Sequence, residues 1–427
     1  MPVEDEAAMS SFIQEGDVVI FEMPSENKKI CTVKGTSQIS FGKFGRCVAS
    51  ELVGLHYGVT YELDRGRISI ADTGSLLDSF ALEGGPDQRG SNDKIENDHT
   101  AQALSHTDIE NMKTAESGAG EIIRAIVRNS ATFDLKSDFA KAKFIKRKEK
   151  KHSRLIKPMR PTPHNLCVFF NERNSAKIMD LRFDTLSQIV YASNVSEESG
   201  PVLVMEETNG LILGSLLERM NGQENGIVAL HDRSQFSYSI ISDMNMPENI
   251  SGNITLFPWL YLNQDPYQKP SDPSEKDAED RQAKREKRFK ELCDAKALFT
   301  QGAFESLVLA TNFAVLPIVK HLLPGLAGSA SVVIYSPHKE SLMETFAFMR
   351  SSHEFVNVHL TESWLREYQL PLKKMSGTHP HMTGLPHGGY LLTATRVLFD
   401  ENQKLNMSFR EKKEKKRRKL EERSARE

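Results

Sequence analysis

Apolar positions along this chain follow two spacings. Between residues 17 and 64 they come in short runs: Asp17–Phe21, Lys28–Lys34, Ser37–Phe41, Arg46–Ala49 and Val59–Leu63, punctuated by Gly35, Gly45, Gly54 and Gly58. Close-set strands with glycine punctuation predict a small antiparallel barrel or sandwich. After Pro163 the pattern becomes an alternation. Strands are expected at Leu166–Phe170, Val202–Met205, Gly226–Leu230, Leu307–Ala310 and Ser331–Tyr335. Helices are expected at Phe183–Ala192, Leu211–Met220, Ala314–Leu323 and Lys339–Met349. Strands alternating with helices predict an α/β unit with a parallel sheet. Val356–Leu360 and Tyr390–Ala394 read as a closing strand pair.

Between these regimes the pattern weakens. Ala71 to His106 is rich in Gly, Ser, Asp and Asn and reads as a flexible linker. Thr107 and Glu110 have the spacing of a capping box, so a helix should start there and stop near Ser117–Gly120. Glu121–Asn129 predicts a second helix with Ile122, Ile123, Ile126 and Val127 on one face. Pro158, Pro161 and Pro163 end any helix that precedes them. Ser271–Lys290 opens with Pro, Asp and Glu and continues as a helix bearing Lys284, Arg285, Lys287, Arg288 and Lys290, in the manner of an insertion. The division expected is therefore 1–70, β-barrel-like; 71–106, linker; 107–163, a helical basic connector; 164–400, a Rossmann-like domain with an insertion at 265–290; and 401–427, a basic disordered tail. A terminal hairpin added to a parallel sheet is the layout of the class I methyltransferase fold.

Composition narrows this little. The 427 residues carry a formal net charge of −3 and 39% hydrophobic residues, enough for more than one core. Cys31, Cys47, Cys167 and Cys293 are far apart and form no CxxC pair, so neither a zinc site nor a disulfide framework is expected, and a reducing compartment is the natural reading. The acidic N-terminus has no apolar stretch of a leader, and no run approaches the ~20 apolar residues of a membrane span.

The chemistry lies first in the turn after Val202–Glu206. A βα turn that holds a cofactor needs glycines, so that backbone can approach the ligand and turn tightly into the helix. A methyltransferase turn reads acid-x-Gly-x-Gly-x-Gly. This chain reads Glu206-Glu207-Thr208-Asn209-Gly210-Leu211-Ile212. Only Gly210 is a glycine; Thr208 and Ile212 take the other two places. Asp232, after the next strand, stands where an acid would hold ribose hydroxyls, or is an ordinary surface Asp at a strand end. After Leu307–Ala310 comes Thr311-Asn312-Phe313-Ala314, which offers no titratable base for a proton transfer.

The second signal is charge. Lys141, Lys143, Lys146, Arg147, Lys148, Lys150, Lys151, Arg154, Lys157 and Arg160 face one acid, Glu149. Such a run contacts phosphates through counterion release, or is a solvated helix face or a localisation signal. Phe139, Phe144 and Ile145 give it an apolar edge that should dock on the protein. The tail at Lys412–Lys419 reads as a localisation signal or a disordered arm. Trp364 and Tyr368, at helical spacing with Arg366 beside them, could stack on unpaired bases or pack at a contact.

Taken together these segments resemble the non-catalytic subunit of the eukaryotic tRNA adenine-N1-methyltransferase, which acts at position 58 of the T loop. The resemblance rests on Phe139–Lys151, Arg182–Gln188, Val204–Met220, Thr361–Tyr368 and Gly388–Leu392. It runs from the N-terminal strands to about Arg396, and fails near 71–92, in 265–290 and in the tail. It implies a methyltransferase fold with a degenerate cofactor site, no catalytic residue and no cofactor of its own. S-adenosylmethionine would sit on a catalytic partner, in a nuclear heterotetramer of two of each subunit. tRNA contacts would fall on Asn97, Asp98, Lys141, Lys143, Lys146, Arg147, Lys148, Lys150, Lys151, Arg173, Lys177 and Arg182, on Thr361, Glu362, Ser363, Trp364 and Arg366, and on His387, Gly388, Gly389 and Tyr390. Glu149 interrupts a run more uniformly basic in relatives, and Asn312 stands where they can carry Arg. Two other readings are a self-sufficient RNA methyltransferase with a divergent pocket, and an RNA-binding component of translation initiation.

Overall fold

The computed structural model describes residues 11–64, 67–71, 102–114, 119–136, 138–221, 226–232, 238–267, 278–369, 378–384 and 386–398. An antiparallel β unit comes first: β1 (Val18–Glu22), β2 (Lys28–Thr32), β3 (Gln38–Ser40), β4 (Arg46–Val48), β5 (Tyr61–Asp64) and β6 (Arg67–Ile70). Helices α1 (His106–Thr114), α2 (Ala119–Arg128) and α3 (Asp138–His152) follow. Then β7 (Leu155–Met159) returns between β1 and β5, giving the order β2-β1-β7-β5-β6. The basic segment is thus divided: a helix to His152, then a strand. Pro158 sits within that strand opposite Phe21, and its carbonyl accepts from the Gly58 N–H at 2.8 Å. Most of the expected linker and all of the expected tail lie outside the described residues.

β1 explains why its sequence is a continuous apolar run. Successive side chains of a strand face opposite sides. Val19 and Phe21 enter the core of the β unit with Ile39, Phe41, Leu63 and Ile156. Ile20 points the other way, into the core of the second unit beside Leu166 and Phe170. Asn245 fixes this junction: its Oδ1 accepts from the Val18 N–H and its Nδ2 donates to the Val18 carbonyl, both at 2.8 Å.

The second unit is an α/β layer structure. In chain order it holds α4 (Pro163–Asn174), α5 (Phe183–Ala192), β8 (Val202–Glu206), α6 (Leu211–Met220), β9 (Ile227–His231), α7 (Ser239–Asp243), α8 (Glu248–Ser251), β10 (Ile254–Pro258) and α9 (Ala278–Gln301). It closes with β11 (Phe304–Ala310), α10 (Val315–Leu322), β12 (Leu326–Ser336), α11 (Glu340–Ser351), β13 (Phe355–Glu362), the short β14 (Tyr368–Gln369) and β15 (His379–Pro380), and β16 (Tyr390–Arg396). The seven-stranded order is β10-β9-β8-β11-β12-β16-β13. β16 runs antiparallel to both neighbours while the other pairs are parallel. Alternate residues of β8 enter opposite cores: Val202 and Val204 one, Leu203 and Met205 the other. This is the class I methyltransferase architecture. Chain order reverses between β8 and β11, so their carboxyl ends flank the switch point where such sheets bind ligands.

Two sequence expectations differ from the structure, and one strand was not foreseen. Leu166–Phe170 is not a strand but the buried face of α4. Thr162 caps that helix, its Oγ1 accepting from the Asn165 N–H at 3.3 Å, and Pro163 takes the first turn; this start signal outranks the strand propensity of Val168 and two phenylalanines. The cap of α1 lies two residues before the expected box. The Ser105 N–H donates to the Asp108 carboxylate at 3.0 Å, and Ser105 Oγ accepts from the Asp108 N–H at 3.2 Å. β10, which lacks a clear alternation in sequence, completes the sheet edge. Among the described residues no helix is long and apolar enough to cross a membrane, and no group of His, Cys, Asp or Glu could hold a metal ion.

Candidate nucleic-acid interface

The switch point is closed by the chain's own side chains. Glu206 ends β8 with 2% of its surface exposed. Its carboxylate accepts from the Thr208 N–H at 2.6 Å, the Gly210 N–H at 2.7 Å and the Thr208 hydroxyl. The Thr208 Oγ1 in turn accepts from the Ile212 N–H at 3.2 Å. The Thr208, Gly210 and Ile212 amides at the entry to α6, where an anionic ligand would be met, are therefore spent internally. Gly210 has φ +93°, and a Cβ there would lie 2.8 Å from Tyr238 Cβ and 2.9 Å from Ile241, so the space a ligand would use on that side is filled by α7. Ile212 is fully buried. Burial pushes the Glu206 carboxyl up to about 7, against the bonds from Thr208 and Gly210.

Across the switch point, Glu207 does the same for the end of β11. It accepts from Thr311 Oγ1 at 3.1 Å, and from the Asn312 N–H at 3.0 Å and side-chain amide at 2.7 Å. Asn312 is thus turned toward its neighbour strand. Asp232 is exposed at the end of β9. These residues do not fit S-adenosylmethionine: the Thr208, Gly210 and Ile212 amides are already bonded within the turn, and α7 fills the flank of Gly210.

On the same rim, toward β16 and β13, Arg182 gathers the loops. It is 5% exposed. Its Nε and Nη2 donate to Asp184 at 2.6 and 2.8 Å, its Nη1 to the Pro386 carbonyl at 2.6 Å, and Nη2 also to the Ser363 carbonyl at 3.0 Å. Thr185 Oγ1 adds a bond to the Gly388 carbonyl at 2.7 Å. Burial works against ionisation of Asp184, but the bonds from Arg182 and Ser363 hold its carboxyl below the usual range. Gly388 and Gly389 are buried close to these groups; a Cβ on Gly388 would lie 2.8 Å from Arg182 Nη2, and one on Gly389, at φ +77°, 2.3 Å from the Tyr335 ring. For Arg182, expected on the RNA, the geometry shows an intramolecular part. Its guanidinium is consumed in joining 363 to 386–388, so it positions the loops, and the two glycines let them pack.

Those loops expose other predicted residues. Trp364 is 82% exposed. Thr361, Glu362 and Arg366 are exposed, Ser363 and Tyr390 half-buried. The helical spacing of Trp364 and Tyr368 is not realised: residues 363–367 are irregular and Tyr368 opens β14. His387 Nε2 lies 2.8 Å from Glu362, and its Nδ1 accepts from the Gly389 N–H at 3.0 Å. Nearby, Arg173 is exposed, while Lys177 lies over the Phe170 ring at 4.3 Å, its carbonyl accepting from Asn209 at 2.6 Å.

Helix α3 separates its basic residues by face. Residues three and four apart share a helix face, so Lys143, Lys146, Arg147, Lys150 and Lys151 form one stripe. Lys143, Lys146, Arg147 and Lys151 are exposed. Lys141 and Lys148 turn the other way, over the rings of Phe133 (5.9 Å) and Phe144 (5.1 Å). Ile145 is buried with Ile123, Val127 and Phe133, and Phe144 packs beside them; Phe139's side chain is outside the described residues. Burial, then the charges of Lys151 and Arg147, lower the Lys148 ammonium's affinity for its proton. Glu149 is driven the other way by burial.

Sequence reasoning missed the joint between this helix and the rim loops. Glu26, in the β1–β2 turn, pairs with Lys150. That hydrogen bond holds its carboxyl low against burial, and the charges of Lys146 and of His381, beside β15, add to it. So 143–151 and the loops around β13–β16 share one electrostatic neighbourhood. A lone Glu between two strands gave no signal for this. Asn97 and Asp98 lie outside the described residues.

Residues 12–290 match the profile of the Gcd10p family. The chain belongs to the Gcd10p family. It is 30% identical over 426 residues to the tRNA (adenine(58)-N(1))-methyltransferase non-catalytic subunit of Dictyostelium discoideum, spanning 91% of this chain and 80% of that one. The Mus musculus protein of the same description is 25% identical over 453 residues, spanning 91% and 89%. Among solved structures, the tRNA (m1A58) methyltransferase TrmI of Aquifex aeolicus is 13% identical with a TM-score of 0.47, spanning 91% of this chain and all of its own.

Proposed function

We propose that this chain is the non-catalytic, tRNA-holding subunit of a tRNA (adenine(58)-N(1))-methyltransferase. A catalytic partner of the same fold supplies S-adenosylmethionine and the reacting groups. The observation that carries this reading is the closed switch point: Glu206, Thr208 and Gly210 satisfy one another where a cofactor would bind, in a family whose named relatives are non-catalytic subunits. The same closure opposes a self-sufficient methyltransferase. The partner arrangement is two of each subunit, and the site of action is the nucleus. The chain divides into 1–70, 71–106, 107–163, 164–400 and 401–427, with β7 of the helical basic connector returning into the first sheet.

tRNA lies on the exposed stripe of α3, with Lys143, Lys146, Arg147 and Lys151 as phosphate contacts and Lys150 beside them. Lys141 and Lys148 support the stripe from below. Trp364, Arg366, His387 and Tyr390 face unpaired bases from loops that Arg182 fixes. Arg173 and Lys177 extend the surface, and Asn97 and Asp98 are further RNA contacts in this reading. The test uses the full chain co-purified with its catalytic partner and an unmodified tRNA transcript. Replacing Lys143, Lys146, Arg147 and Lys151 with Ala should lower the slope of log affinity against log salt by roughly 3–4, somewhat under one for each of the four lost phosphate contacts. An unchanged slope removes α3 from the interface. Crosslinking that recovers ribosomal or messenger RNA in place of tRNA would favour the translation-initiation reading.

A further inference from the structure

Helix α9 is longer than the sheet it serves. Its 24 residues span about 36 Å. The C-terminal part docks: Leu292 and Ala295 are buried with β10 and β11 residues, and Phe299 packs beside them. Phe299 reaches Gly325, at the amino end of β12, where a Cβ would meet its ring at 2.3 Å. Lys296 reaches the other way, donating to the carbonyls of Tyr261 and Leu262 just past the carboxyl end of β10, both at 2.7 Å. Residues 292–301, about 15 Å of helix, therefore match the height of a five-residue strand such as β10. The fourteen residues before them, about 20 Å, extend beyond the carboxyl rim, the end of the sheet that carries the closed turn and the rim loops.

The composition of this overhang is one-sided. Residues 281–290 hold six Lys or Arg against one acid, Glu286. Lys284, Lys287, Arg288 and Lys290 are exposed, and no side chain described between 282 and 290 is buried. Lys284, Arg288, Leu292 and Ala295 follow helical spacing, so the face that packs on the sheet below becomes a basic face above it. That face overhangs the rim. Exposed Tyr267 (68%) and Leu260 (57%) lie in the segment after β10, and Phe313 (48%) follows β11. A helix half with no fully buried side chain among those described gains little from tertiary packing. It stands because it continues a docked helix and so needs no nucleation.

We propose that the first half of α9 is a second phosphate-contacting arm, closing on the RNA from the sheet edge opposite the β13–β16 loops. β10 and β13 are the two edges of the seven-stranded sheet, six strand spacings or about 29 Å apart. The two surfaces straddle the rim at a separation that admits one A-form helical arm. The charge suits a polyanion, and exposed Tyr267 after β10 and Phe313 after β11 offer stacking faces on the same rim. The proposal rests on the RNA-holding reading of the chain.

The test uses the full chain with its catalytic partner and an unmodified tRNA transcript. The variant Lys284→Ala/Lys287→Ala/Arg288→Ala/Lys290→Ala keeps helix propensity. It should lower the salt slope by roughly 2–3 and weaken binding about tenfold at moderate salt, with subunit co-elution unchanged. If the slope stays the same while the α3 variant loses its own, the arm makes no phosphate contact and this proposal alone fails. If neither variant changes the slope, the RNA-holding reading fails with it. If the arm variant instead loses co-elution with the partner, the surface docks protein and the proposal is overturned.

Discussion

Glu206 carries the local logic of the closed turn. Its carboxyl is raised from 4.5 to about 7 because it is buried. Between those values the native chain holds a proton that the unfolded chain has released. Its contribution to stability is therefore greatest below about pH 4.5 and declines as pH rises to about 7, by an amount on the order of 3 kcal/mol. Glu206→Gln should lack this decline. Urea unfolding of both proteins from pH 5 to 8 checks it: the difference between their stabilities should change with pH, and parallel curves would refute the linkage. Arg182 is the second such residue. Arg182→Ala strips Asp184 of its buried partner and should cost about 3 kcal/mol or more, with faster amide exchange at 386–390. Arg182→Lys should rescue little, because an ammonium cannot hold Asp184 bidentately and reach two loops. Protection at 386–390 equal to the parent's would show that the hub is dispensable. The sequence announced the turn's missing glycines, since Thr208 and Ile212 are visible as letters. It did not announce what replaced the ligand. The bond of Glu206 back to Thr208 and Gly210, and the conversion of Arg182 from surface cation to buried hub, depend on contacts from residues two to two hundred positions away.

Among elements, the periodic segments were the legible ones. α5, α6, β8, β9, β11, β12, β13 and β16 all fall where apolar spacing places them. α4 was mistaken for a strand because its buried face includes a run of β-prone residues, although Thr162-Pro163 is a helix start. β7 was hidden because Lys157 and Pro158 look like the end of a charged connector, and only pairing with β1 and β5 makes that segment a strand. α3 shows what a charge count leaves out. Ten basic residues in a run are visible in sequence, but α3 holds seven of them and sorts these into a solvent stripe and a pair resting on aromatic rings. This sorting predicts different phenotypes for neighbours. The stripe variant proposed above changes salt dependence. Lys148→Ala should leave the slope nearly intact and act instead through lost packing over Phe144, a change of about 1 kcal/mol or less in unfolding free energy. Equal loss of slope from both would show that the faces are not distinct.

At the scale of the molecule, two units with separate cores share one strand. β1 gives one face to each, and Asn245 holds both backbone groups of Val18 across the junction. This fixes α3, which leads back into the first sheet through β7, against the carboxyl rim of the second. The basic stripe and the rim loops then sit in one neighbourhood through Glu26, while the switch point on the same rim is packed shut. The account that follows is a division of labour: this chain keeps the methyltransferase scaffold for positioning RNA and leaves the methyl donor to its partner. The most direct measurement is calorimetric titration of S-adenosylmethionine into this chain alone and into its complex with the catalytic subunit. The expected result is no measurable binding to the chain alone and one site per catalytic subunit in the complex. Micromolar binding to this chain alone, or two sites for each pair of subunits, would contradict it.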